Sequence, residues 1–175
     1  MIYSRVIVNN VDNLYEILDK LNLSKKSEFA FYDLIYLNKN GASITDDTLK
    51  IRVYQKTEWN NKNVLVIRKT APVIDGVKED KVLLKEEFDF VDEAIKYVDS
   101  NWSDIYKYKF KLEKSGVEYS NDNLRVWVED IKEIGISIEF GSEESEIIES
   151  AISLFNVKER LNVSVPEYLY NKIIK

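Results

Sequence analysis

Charged and apolar side chains alternate along several segments of this 175-residue chain, and that alternation most constrains its fold. Lys50 and Arg52 lie two residues apart, as do Lys85 and Glu87, and apolar residues such as Ile51 stand between or beside them. Residues two apart share one face of a β-strand, so the pattern predicts strands with one charged face and one apolar face. A third segment repeats the spacing at Lys107, Lys109 and Lys111.

Runs rich in β-branched and aromatic residues predict eight strands, and helical periodicities predict four helices. The predicted strands are residues 3–8, 31–37, 49–55, 64–70, 82–90, 105–113, 124–129 and 134–140. Helices are predicted at residues 11–21, 91–98 and 143–155, and Ser164 with Glu167 predicts a capped final helix. With five glycines, two prolines and no linker-like tract, residues 1–175 are expected to form one α+β domain.

Composition excludes several kinds of chemistry, because the chain has no cysteine and no histidine. Any metal has to bind oxygen ligands, which favours Mg²⁺, Mn²⁺ or Ca²⁺ over Zn²⁺. The net charge of −6 argues against nonspecific binding to nucleic acids or anionic membranes. Without an apolar run of about 20 residues or a signal-peptide pattern, we expect a cytoplasmic protein with no membrane segment.

Two placements of the charged strand faces stay open at this level. In one, the charged faces of an ordinary sheet are solvated and the apolar faces form the core. In the other, the sheet closes into a barrel, helices cover its apolar outside, and the charges line a polar lumen. Alternation alone does not choose between them.

Five segments, taken in order, resemble signature segments of the CYTH superfamily of triphosphate tunnel enzymes. They are residues 32–38 (YDLIYLN), 45–52 (TDDTLKIR), 85–89 (KEEFD), 128–139 (VEDIKEIGISIE) and 164–169 (SVPEYL). The chain is most similar to class IV adenylyl cyclases and thiamine triphosphatase-like proteins. This resemblance implies a closed antiparallel eight-stranded β-barrel, a tunnel, with helices packed outside. It also implies basic tunnel residues that bind a polyphosphate and acidic residues that hold divalent metal.

Carried over position by position, the resemblance implies phosphate-binding cations on most strands. Lys50 and Arg52 stand where the family has paired arginines, and either Arg68 or Lys69 fills a family lysine position. The full set of candidates is Arg5, Lys50, Arg52, Arg68, Lys69, Lys85, Lys107, Lys109 and Lys111. Lysine binds as a point charge without the planar fork of arginine, so we expect looser geometric selectivity for the anion.

The acidic positions depart from the family pattern. The two glutamates expected in the first strand fall on Met1 and Tyr3, and a later one falls on Gly141. The remaining candidate ligands for Mg²⁺ or Mn²⁺ are Glu87, Glu129 and Glu139, with Asp89 as a further carboxylate. Salt bridges from these acids to the tunnel lysines are an equal alternative.

These departures lead to the hypothesis that the chain binds a nucleotide or other polyphosphate anion, with family-type catalysis weakened, altered or lost. A first alternative is an active metal-dependent triphosphatase or class IV adenylyl cyclase-like enzyme that uses Mg²⁺ or Mn²⁺. A second is a non-catalytic protein-interaction domain, for which Trp59 in a predicted polar turn is a candidate contact. The oligomeric state stays open, with a homodimer as one alternative.

Overall fold

The computed structural model of the chain describes residues 1–57 and 63–174. The strands are β1 (Ile2–Val8), β2 (Ser24–Asn38), β3 (Thr48–Thr57), β4 (Val64–Thr70), β5 (Val73–Ile74), β6 (Val77–Lys78), β7 (Lys81–Phe88), β8 (Tyr106–Ser120), β9 (Arg125–Ile131), β10 (Gly135–Ser142) and β11 (Val157–Arg160). The helices are α1 (Leu14–Lys20), α2 (Val91–Trp102), α3 (Ser145–Ile152) and α4 (Val165–Leu169), followed by a π-helical turn (Tyr170–Ile174). Trp59 lies outside the described residues.

The strands form one antiparallel sheet that curls into an open half-barrel. Its order is β5-β6-β1-β10-β9-β8-β2-β3-β4-β7, and β11 pairs with β1. The prediction of an α+β domain is confirmed, but the prediction of a closed eight-stranded barrel is wrong. Among the described strands, β7 pairs only with β4. The β5–β6 hairpin, two residues per strand, pairs with β1 at one position, Tyr3 with Lys78, and is too short to join β7 to β1.

The convex face of the sheet carries the larger part of the apolar core, under three helices. One cluster joins Val6, Val126, Ile138 and Phe140 to Ile17 of α1 and Ile148 of α3. A second joins Leu49, Ile51, Val64 and Val66 to Ala94 and Val98 of α2. Burial of each such aliphatic side chain contributes roughly 1.5–3 kcal/mol. Because these helices cover the convex face, the apolar side chains of the strands lie on that face. The side chains at the alternate strand positions point to the concave face.

The C-terminal segment packs against the concave face, and this differs from the prediction that the helices lie outside the barrel. Leu161, Val165 and Leu169 form one apolar cluster with Ile35 of β2 and Phe110 of β8. The final helix begins as predicted, since the Ser164 hydroxyl accepts a hydrogen bond from the Glu167 backbone N–H at 3.4 Å. One end of the concave face is therefore filled by apolar side chains.

Candidate functional site

The concave face holds a cavity of about 270 Å³ beside the apolar C-terminal cluster. Its lining combines six cationic side chains with three carboxylates. The cations are Arg5, Lys50, Arg52, Lys69, Lys78 and Lys114, and the carboxylates are Asp33, Asp80 and Glu139. They come from β1, β2, β3, β4, β6, β8, β10 and the link before β7, so the curl of the whole sheet brings them together.

Asp33 organises the first group of charges. It stands opposite Arg52 in the β2–β3 pairing, which places both side chains on the concave face. Arg52 donates from Nε to Asp33 Oδ1 at 2.8 Å and from Nη2 to Oδ2 at 2.9 Å, and Lys50 Nζ lies 3.1 Å from Oδ2. Burial alone would raise the pKa of Asp33, but Arg52 and Lys50 hold it well below its usual range.

Arg5 organises the second group from β1. Its guanidinium bonds the Glu129 carboxylate, lies 2.9 Å from Glu139 Oε2, and donates to the Ser137 hydroxyl at 2.7 Å. Lys114 Nζ of β8 lies 2.8 Å from the second oxygen of Glu129. The pKa of Glu139, which burial would raise, is held well below its usual range by Arg5 and then by Lys78. The two glutamates are thus neutralised by protein cations.

The ion pairs continue from Glu139 across the open side of the barrel. Lys78 Nζ lies 2.6 Å from Glu139 Oε1 and 3.3 Å from Asp80 Oδ2. Asp80 Oδ1 in turn lies 3.1 Å from Lys69 Nζ on β4. A chain of alternating charges therefore runs from β10 through β6 and the β6–β7 link to β4. It spans the side on which the two edge strands of the described sheet, β5 and β7, do not pair with each other.

The cavity carries more positive than negative charge. Even with the buried Glu129 added to the three lining carboxylates, the cations outnumber the acids six to four. Burial lowers the pKa of Lys50 well below its usual value, and the Arg52 charge adds to this effect. Burial likewise lowers the pKa of Lys69 and of Lys114, with nearby cations Lys78 and Arg5 contributing. Burial thus makes the protonated forms of these three lysines less stable than they are in water, and an anion placed beside them would stabilise them.

The arrangement of acids does not fit a divalent metal site of the family kind. Within residues 1–57 and 63–174, no three acidic side chains are grouped so that they could hold a metal ion. Glu129 and Glu139 are already bound to arginine and lysine, while Glu87 is exposed on β7. A metal would have to displace Arg5 and its neighbouring cations before it reached these oxygens.

The structure divides the residues predicted from the sequence into two sets. Arg5, Lys50, Arg52, Lys69 and Glu139 line the cavity, and Glu129 is buried against Arg5. Arg68 instead bonds Asp47 at 3.1 Å and does not line the cavity. On β7, Lys85 stands opposite Ile67 and Glu87 stands opposite Leu65 in the β4–β7 pairing. Both charged side chains are exposed.

The basic segment of β8 points elsewhere than the resemblance implies. Lys107, Lys109 and Lys111 are exposed, and none of them lines the cavity. Lys111 Nζ instead pairs with Glu113 at 2.6 Å. The β8 cation in the cavity is Lys114, two residues beyond Leu112 on the same face.

Four of the charged lining residues were not singled out from the sequence: Asp33, Lys78, Asp80 and Lys114. The sequence does contain a signal for the hairpin that carries Lys78, because Asp75-Gly76 is a strong two-residue hairpin signature. In the structure both residues have positive φ, +53° and +75°. Asp33 lies inside a segment that carried the resemblance, but the sequence does not show that it faces Arg52. The ion pair becomes visible only with the β2–β3 register.

Comparisons with known proteins bear on the fold. No family model matches the chain, and no curated protein matches it. Among solved structures, protein PH1819 from Pyrococcus horikoshii OT3 is similar with a TM-score of 0.68 at 20% identity, over 98% of both chains. HpAC1 from Hippeastrum, a candidate adenylyl cyclase with a dominant triphosphatase activity, has a TM-score of 0.66 at 12% identity over 99% of this chain and 96% of its own.

A candidate adenylate cyclase from Vibrio parahaemolyticus is also similar, with a TM-score of 0.63 at 13% identity over 95% of both chains. These structures match nearly the whole length of the chain, so the likeness concerns the complete fold and not one motif. The part of the chain that the structure describes contains no helix with the length and apolarity needed to span a membrane. The chain therefore shares its fold with candidate adenylate cyclases, one of which has a dominant triphosphatase activity.

Proposed function

We propose that this protein binds a polyphosphate anion, such as a nucleotide or tripolyphosphate, in the concave cavity, with family-type catalysis weakened or lost. The observation that carries the proposal is the excess of cations around the cavity, six against four acids, in a protein whose net charge is −6. A phosphate chain brings several negative charges, and charge-assisted hydrogen bonds to lysine and arginine would stabilise it there.

The ion-pair arrangement supports binding over catalysis. Phosphoryl transfer by this kind of fold draws on a metal that neutralises developing charge. Here Glu129 and Glu139 are bound to Arg5, Lys78 and Lys114 instead. Three cations face two glutamates here, so positive charge is left over for a bound anion. Neither glutamate is free of protein cations to hold a metal.

The test is calorimetric titration of the protein with tripolyphosphate in the presence of EDTA. Lys69→Met removes one lining cation whose side chain is 22% exposed, and Lys109→Met removes an exposed cation outside the cavity. We expect Lys69→Met to weaken binding about ten- to a hundredfold, the usual value of a hydrogen bond to a charged group, and Lys109→Met to leave it unchanged. Equal effects of the two substitutions would contradict the proposal.

A metal-dependent triphosphatase is the second candidate, favoured by the fold shared with HpAC1 and by the presence of Glu139 in the cavity. Phosphorus NMR of the protein with tripolyphosphate and Mn²⁺ tests it directly. Product resonances that disappear in Glu139→Gln would support the enzyme. An unchanged substrate spectrum over hours, with titration showing binding, would support the binding protein.

A further inference from the structure

Part of the cavity lining is apolar. Four side chains form this apolar rim: Val73 of β5, Val82 of β7, and Val163 and Pro166 of the C-terminal segment. Val82 is 56% exposed and the other three are half-buried. Asp33 and Lys50, by contrast, are 1% and 5% exposed, so these two charged residues lie deeper in the cavity than Val82.

Two residues of the apolar rim lie at opposite edges of the sheet, Val73 on β5 and Val82 on β7. Val82 stands opposite Lys69 in the β4–β7 pairing, and Val73 stands opposite Lys78 in the β5–β6 hairpin. Two of the four rim residues, Val73 and Val82, are therefore next to a lining cation in the sheet. Apolar surface that stays in contact with water is unfavourable, and a ligand that covers it gains affinity in proportion to the area removed from water.

We propose that the anion bound in this cavity carries one short aliphatic chain, which lies against the apolar rim while the phosphate contacts the buried cations. The inference rests on the proposed function and narrows its ligand class. No described lining residue is aromatic, whereas protein sites often hold nucleobases by stacking on aromatic rings. Tyr3 and Trp127, with ring centroids 6.0 Å apart, do not line the cavity.

The test is titration with inorganic phosphate and with ethyl, butyl and hexyl phosphate under identical conditions. Each methylene that leaves water should tighten binding about fourfold, so butyl phosphate should bind about fifteenfold more tightly than ethyl phosphate. The gain should level off once the chain extends beyond the rim. Affinities that do not depend on chain length would overturn this inference, while leaving the proposed function intact.

Matched variants locate the effect. Val82→Ser should flatten the dependence on chain length, and its exposed position makes unfolding an unexpected result. Ile74→Ser changes a 72% exposed residue next to the rim that does not line the cavity, and should keep the dependence. If no alkyl phosphate binds and tripolyphosphate does not bind either, both this inference and the proposed function fail.

A separate experiment distinguishes a soluble ligand from a lipid headgroup. The protein is mixed with vesicles that contain phosphatidic acid and sedimented. We expect no co-sedimentation, because a cavity of about 270 Å³ at the end of a curled sheet suits one short chain. Sedimentation with the vesicles, without any gain along the soluble series, would overturn the assignment to a soluble aliphatic phosphate.

Discussion

The ring of Tyr3 lies over Gly141, its direct partner across strands β1 and β10. A Cβ atom on Gly141 would come within 3.0 Å of Tyr3 Cε1. The family resemblance predicts a glutamate at each of these two positions. These two residues, both of which depart from the family pattern, are therefore in contact. The Tyr3 ring occupies the space beside Gly141 where a larger residue would place its side chain. Lys78 Nζ, 5.2 Å from the ring centroid, adds a cation next to it.

This contact predicts that changing both residues together can create a site for a divalent metal. The Tyr3→Glu, Gly141→Glu double variant removes the ring and adds two carboxylates beside Glu139. Manganese prefers carboxylate oxygens, so we expect its affinity to rise by at least about tenfold. Electron paramagnetic resonance of free Mn²⁺ measures the change, with Tyr3→Phe as the control that keeps the ring. A wild-type protein that already binds Mn²⁺ as tightly would contradict this account of the site.

Arg5 is predicted to be essential for stability. It is 8% exposed and is shared by Glu129 and Glu139, so Arg5→Met leaves two buried carboxylates short of their cation. Breaking a buried pair in this way costs about 3–5 kcal/mol of unfolding free energy. Lys111→Met breaks the more exposed pair with Glu113 and should change the free energy by less than about 1 kcal/mol. Urea denaturation of the two variants compares them, and similar midpoints would refute the prediction.

The buried carboxylates also predict the acid side of the stability curve. The pKa of Asp33 is held low because the Arg52 and Lys50 charges overcome the effect of burial. The unfolded chain takes up this proton near pH 4, whereas the folded chain does so only at lower pH. The stabilisation is therefore complete above the unfolded pKa and is lost as pH falls toward the folded pKa.

For one such group the loss amounts to about 2 kcal/mol. Denaturation measured between about pH 5 and about pH 2, the range in which carboxylates titrate, should show this loss of stability. Asp33→Asn, which keeps the shape of the side chain, should lower stability at neutral pH and flatten the slope. An equally steep slope in the variant would show that other carboxylates dominate acid unfolding.

Strands β3 and β8 show how far the sequence could predict the site. Along β3 the alternation is regular from Thr48 to Val53, so Lys50 and Arg52 share the face opposite to the buried Leu49 and Ile51. The pattern identifies which residues share a face, and the helices that cover one face decide which residues point inward. That second fact depends on tertiary packing and is not contained in the strand itself.

Along β8 the structure leaves Lys107, Lys109 and Lys111 outside the cavity and places Lys114 in it, for two physical reasons. The β2–β8 register shifts between Ile35 and Tyr36, which interrupts the alternation near Lys109. A one-residue shift moves side chains to the other face. The strand also continues to Ser120, well past the predicted end at residue 113, and so it includes Lys114. The hydrophobic pattern beyond residue 112 is too weak to reveal this extension.

The lowered pKa values of Lys50, Lys69 and Lys114 lead to a prediction about ligand binding. Burial is the first cause for each lysine, and an anion placed beside them would raise the pKa values back. Protons should therefore be taken up on binding, at pH values between the lowered pKa values and those of the complex. It follows by linkage that the anion affinity falls as pH rises through this interval.

Calorimetry of tripolyphosphate binding in buffers of different ionisation enthalpy measures the number of protons taken up. We expect the apparent enthalpy to depend on the buffer in the wild type and to depend less on it in Lys69→Met, which has one fewer buried lysine to protonate. Lys109→Met, on the exposed part of β8, should match the wild type. An apparent enthalpy that is the same in every buffer would mean that the cavity lysines are already protonated, or that the anion binds elsewhere.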